Sequence, residues 1–179
     1  PALIPGGSQA ALALIYDARY TYRVQTKCIH ETIVDACRLE LADARTIRTI
    51  NGADAAQYLR EKKQALGLAE ADFEHLTLTD ALGVNAHLSL DGRAVKSGRD
   101  LAPEMTLCYV APGAAFDAIR AFYDDPDAIV FGCAGLGGLL DRPLNTPSLG
   151  LFLFGEVCTV GDTAEFGNLM LSKLQIFPA

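Results

Sequence analysis

Apolar and polar positions along the chain change their spacing several times, and those changes mark out the elements. Ala11–Ala18 and Tyr20–Lys27 predict two strands joined by a tight turn, with Tyr20, Tyr22 and Val24 on one face by period-two alternation. Ile33–Leu39 and Thr46–Ile50 predict two more strands. Asn51-Gly52 turns the chain into a helix over 54–66, stopped by Gly67, with Ala55, Tyr58, Leu59 and the stem of Lys62 inward and Arg60, Glu61, Lys63 and Gln64 solvated. A short acidic helix, Ala69–His75, is expected next. Val84–Leu90 predicts a strand, Asp91-Gly92 a hairpin turn, and Leu107–Val110 another strand. Pro112 opens a helix whose Phe116, Ile119, Phe122 and Tyr123 form one apolar stripe, ended by Asp124-Asp125-Pro126-Asp127.

The last third is denser in apolar residues. Ile129–Cys133, Gly150–Glu156 and Leu169–Phe177 read as strands buried on both faces, with glycine-rich Ala134–Gly138 after the first. Many strands and two or three helices, without regular β-α alternation, predict an α+β fold on a mostly antiparallel sheet.

Three polar features fall where those last strands end: Cys133, the Gly155-Glu156 step and Asn168. The Gly132–Gly138 run lacks the Lys-Ser/Thr of a phosphate loop, and Asp141 would repel phosphate, so a close backbone approach to a small ligand or a strand suits it better. Cys133 sits at a turn that can present a nucleophile, yet no Gly-x-Ser-x-Gly spacing surrounds it and no histidine is placed by sequence to activate it. A small residue in a packed wall is the preferred reading. Glu156 suits a ligand ammonium and Asn168 a carboxylate or amide; a solvated strand end and a turn residue are the plainer roles.

Phe-Gly-Cys-x-Gly-x-Gly (131–137), Gly-x-Phe-x-Phe-Gly-Glu (150–156) and Phe-Gly-Asn before an apolar strand (166–177) together resemble the C-terminal FIST domain. Thr-Ile-Asn-Gly-Ala-Asp-Ala-Ala-Gln-Tyr-Leu (49–59) is similar to that family's opening, with Asn51 for its Asp and Asp54 for its Pro. Leu136 replaces a usual arginine and Gly167 a usual histidine. The resemblance divides the chain into 1–45, the closing strands of a FIST N-like region, and 46–179, a FIST C-like ligand-binding domain. It implies a non-enzymatic sensory domain that binds a small, amino-acid-like ligand through Cys133, Gly135, Gly137, Gly155, Glu156 and Asn168. The implied output partner is a histidine kinase or a cyclic-dinucleotide enzyme. Some relatives are implied to sense nitric oxide through haem, which would need an axial histidine, His30 or His87.

Charge and cysteines narrow the partners. A net charge of −7 spread along 179 residues leaves no basic footprint for nucleic acid. No apolar run reaches membrane-spanning length. Five cysteines, none in a Cys-x-x-Cys pair, fit a reducing cytoplasm, with Cys37 and Cys108 as buried hydrophobes. Cys28-Ile29-His30 places a thiol beside an imidazole without completing a metal site. Pro1 is not a translation start, which fits a chain beginning inside a larger protein.

Overall fold

The computed structural model describes residues 19–69, 73–153, 156–160 and 163–179, without the side chains of 151, 153, 156–160 and 163–166. In chain order the elements are β1 (Tyr20–Cys28), β2 (Thr32–Asp43), β3 (Thr46–Ile50), β4 (Ala53–Asp54), α1 (Ala55–Ala65), β5 (Leu76–Thr79), β6 (Asn85–Asp91), β7 (Ala94–Ser97) and β8 (Glu104–Tyr109). Then follow α2 (Pro112–Tyr123), β9 (Ala128–Cys133), a 3-10 turn (Ala134–Leu139), β10 (Leu149–Leu153), β11 (Glu156–Val160), β12 (Thr163–Gly167) and β13 (Met170–Pro178). The fold is α+β and antiparallel-rich; β9–β10 is a parallel pair.

Strands β2-β8-β5-β6-β7-β3 are hydrogen-bonded in that order, and β3 returns to β2, so the sheet curls into a barrel. Alternation explains its lining. Leu76 and Leu78 of β5, Ala86 and Leu88 of β6, and Met105 and Leu107 of β8 point inward with Leu39, Ile47, Ile50 and Val95. Curling removes most of the strand edges that would otherwise stay unpaired. Helix α1 starts where the Asp54 carboxylate caps Gln57 N (3.0 Å) and joins the same core through Ala55, Ala56, Tyr58 and Leu59. The expected inner stripe is therefore present, with one correction. Lys63 is buried, its ammonium 3.7 Å from the Phe73 ring centre, while Lys62 pairs with Asp35 at 2.8 Å.

A second sheet, ordered β1-β13-β9-β10, carries α2 on one face. Ile119, Phe122 and Tyr123 pack there against Val130, Leu136, Leu139 and Leu171. Two glycines make room for Tyr123: a Cβ on Gly132 would lie 3.0 Å from its hydroxyl, and one on Gly150 would collide with its ring. The chain crosses between the two cores through Ile29-His30-Glu31 and again at Val110-Ala111.

Several boundaries differ from the expectation. Leu76–Thr79 is a strand, and the hairpin β11–β12 follows β10, where a single strand over 150–156 was expected. Residues 70–72 of the expected acidic helix lie outside the described residues; its described ends, Ala69 and Phe73–His75, are not helical. Ala11–Ala18 also lies outside. The Asp91-Gly92 hairpin forms as expected, with Gly92 at φ 64° and Asp91 paired with Ala94. The 45/46 boundary falls in the turn between β2 and β3, two strands that pair with each other.

Candidate functional site

The outer face of the barrel at β5, β6 and β8 is polar where the inner face is apolar. Thr77 stands opposite both His87 and Cys108, and Thr79 opposite both Asn85 and Thr106. The second sheet and its loops cover this face, so Thr77 and Asn85 are buried even though they point away from the barrel core. Polar groups between two apolar cores must find partners, because each buried group left unpaired costs about 1–3 kcal/mol.

Asn85 meets that demand for its neighbours. Its Oδ1 accepts from Thr79 Oγ1 at 2.8 Å, and its Nδ2 donates to Cys28 Sγ at 2.8 Å and to Leu169 O at 3.5 Å. Cys28 Sγ also accepts from His30 N at 3.3 Å. His30 Nε2 donates to Glu74 O at 2.7 Å; a carbonyl can only accept, so the neutral ring keeps its lone pair on Nδ1, which lies 4.0 Å from Cys28 Sγ.

Burial sets the charge of this pair. It pushes the Cys28 thiol up, against the opposing pull of Asn85 and the His30 backbone. It pulls His30 down to about 4, with the nearby His75 and His87 adding to the shift and the bond to Glu74 resisting it. A thiolate–imidazolium pair would need the opposite shifts, so the fold holds a neutral thiol beside a neutral imidazole. All three histidines of the chain thus gather at this seam. The sequence places His75 at the end of an acidic helix, where the described residues 73–75 are not helical. His75 is half-buried and donates from Nδ1 to Val110 O at 2.9 Å. His87 is lowered by burial, Glu74 pulling the other way, and its ring has no hydrogen-bond partner among the described residues.

The polar strand ends abut this cluster. Strand β7 stops at Ser97, and Gly98 N makes the last bond to β6, donating to His87 O at 3.0 Å. Asn168 then takes over the open edge. Its N–H donates to Asn85 O at 3.0 Å and its Oδ1 accepts from His87 N at 3.3 Å, so one residue imitates the strand that has left. Asn51 does the same on β2: Oδ1 accepts from Arg38 N at 2.8 Å and Nδ2 donates to Ala36 O at 2.9 Å.

The turn holding Asn168 is strained. Leu169 is fully buried at φ 54°, a left-handed conformation that costs a branched residue about 1–2 kcal/mol. Two glycines admit the turn: a Cβ on Gly135 would lie 2.8 Å from Leu169 Cδ2, and one on Gly98 would lie 3.1 Å from Asn168 Cγ.

Among the sequence-predicted site residues, the loop with Cys133 and Gly135 therefore adjoins Asn168-Leu169. Cys133 is buried at the end of β9. Gly137 faces open space. Backbone pairing brings Glu156 opposite Gly167 and Leu153 opposite Cys133. Gly155 and the Glu156 side chain lie outside the description. Asn85, the residue that joins most of these groups, carries no motif of its own in the sequence, although its period-two relation to His87 puts both on one face. Among the described residues no group of three or more His, Cys, Asp or Glu side chains is placed to hold a metal ion, and no helix is long and apolar enough to cross a membrane.

No known protein family, curated protein or solved structure matches the chain.

Proposed function

We propose that the chain is a non-enzymatic sensory module that binds a small, amino-acid-like ligand at the polar strand ends and passes its occupancy to a signalling partner. One observation carries this reading. Asn168 stands where the two cores meet, with Oδ1 engaged by the barrel and Nδ2 without a partner among the described residues. That free donor suits a ligand carboxylate, and the sequence offers Glu156, whose backbone pairs with Gly167, as the residue type for an ammonium. The neutral Cys28–His30 pair supports binding over catalysis, since it lacks an activated nucleophile. The FIST-like motifs support the same role and point to a histidine kinase or cyclic-dinucleotide enzyme as the partner. A ligand at the seam shifts the balance of two conformations only by its difference in affinity for them.

Thermal unfolding of the chain against the twenty amino acids tests this. A ligand at about a hundred times its Kd adds about 2.7 kcal/mol and raises the midpoint. The reading predicts such a rise for at least one amino acid, absent in Asn168→Ala; no rise with any of them contradicts it.

A haem-based gas sensor is the second reading, favoured by the unpartnered ring of His87. His87 would hold the haem iron better than His30, whose Nε2 already donates to Glu74 O. Haem would supply the gas-binding iron. A Soret band on haem titration, lost in His87→Ala, would support it, and a flat visible spectrum would end it.

A further inference from the structure

We propose that the Asn168-Leu169 turn is a strained latch between the barrel and the four-stranded sheet, and that its release is the conformational change the seam transmits. This rests on the sensory reading for its purpose, but the latch itself is defined by four contacts. Asn168 N holds Asn85 O, Asn168 Oδ1 holds His87 N, Asn85 Nδ2 holds Leu169 O, and the Leu169 side chain fills the notch over Gly135. The first three all end on β6, so one turn carries the hydrogen bonds that tie β13 to the barrel edge at this point.

Two features make the arrangement a switch. Leu169 stays left-handed only while those contacts outweigh its strain; once they go, it relaxes to extended backbone and β13 can lengthen by one residue. The Asn85 carboxamide also keeps its other partners, Thr79 and Cys28, when the turn leaves. Opening therefore breaks a small, contiguous set of bonds, leaves the barrel core intact and draws one side chain, Leu169, from the second core, the limited loss expected of a local opening. A ligand carboxylate on Asn168 Nδ2 would hold the carboxamide in place and favour the closed form, because Oδ1 and Nδ2 belong to one rigid plane.

Gly98 offers a way to open the latch without replacing any of its residues. A Cβ there would collide with Asn168 Oδ1, while Gly98 itself needs no left-handed backbone. Amide hydrogen exchange of the full chain, followed by NMR, reads the outcome at His87 N, whose acceptor is Asn168 Oδ1. Gly98→Ala and Asn168→Ala should each speed exchange at His87 about tenfold or more, while Leu78 and Ala86, paired across β5 and β6, stay within about twofold. Asn168→Asp keeps an acceptor at the same place and should leave His87 protected. Unchanged exchange at His87 in both alanine variants overturns the latch, and so does an equal acceleration at Leu78 and Ala86. If Gly98→Ala fails to fold, Asn168→Ala and Asn168→Asp decide alone. A responsive His87 amide with no amino acid binding would keep the latch and remove the sensory reading; amino acid binding with an unresponsive amide would do the reverse.

Discussion

Asn85 Nδ2 lies 2.8 Å from Cys28 Sγ, which ties the barrel to the end of the first strand of the other sheet. Asn85 is fully buried and every polar atom of its side chain is bonded: Thr79 on the oxygen, Cys28 and Leu169 on the nitrogen. Replacing it with alanine strands three partners at once. Asn85→Ala should lose about 3 kcal/mol of stability in chemical denaturation. A loss under about 1 kcal/mol would mean that the partners re-pair among themselves.

Acid should weaken the fold through His30. Its folded value near 4 lies below the ordinary 6.5, so the unfolded chain binds the proton first. The stability tied to the neutral ring is complete above pH about 6.5 and falls away as pH drops towards about 4, by about 3 kcal/mol in all. His30→Gln should flatten that part of the stability–pH curve. A slope between those values that is the same in the variant and the parent would place the acid sensitivity elsewhere.

The glycines separate packing from ligand roles. Gly150→Ala drives a methyl into the Tyr123 ring and should cost about 1–3 kcal/mol; Gly132→Ala meets the same side chain less severely. Gly137→Ala meets nothing within 4 Å and should change stability by under about 0.5 kcal/mol. Thermal melts of the three variants check the order. A Gly137 variant that melts normally but loses ligand would support the role the FIST-like motif implies for it.

Cys133 is buried, so native-state alkylation with iodoacetamide should label it only as fast as the region opens. Rapid, selective labelling at neutral pH would favour the thiol-enzyme alternative.

Much of this arrangement is legible in the sequence, and the exceptions have physical causes. The α2 stripe of Phe116, Ile119, Phe122 and Tyr123 is buried as its spacing requires. Cys37 and Cys108 are buried as their apolar surroundings imply. Leu76–Thr79 escaped because four residues are too few to establish a period and an acidic stretch precedes them. Lys63 looked solvated because a lysine on a helix gives no sign of an aromatic ring arriving from another element. The hydrogen bond of His75 is hidden for the same reason: its partner, Val110 O, is 35 residues away. Asn168 reads as a polar strand end in the sequence, but its place on the edge of β6 depends on where β7 stops. Only the closed sheet fixes that.

The central claim is that the polar strand ends receive a small ligand. Two-dimensional amide NMR of the labelled chain, titrated with the twenty amino acids in turn, tests it at residue resolution. The account predicts shifts for at least one amino acid, concentrated at 133–138, 168–169 and His87, with the barrel interior still. Shifts confined to the outer surface around Arg38 and Glu104, or no shifts with any amino acid, would contradict it.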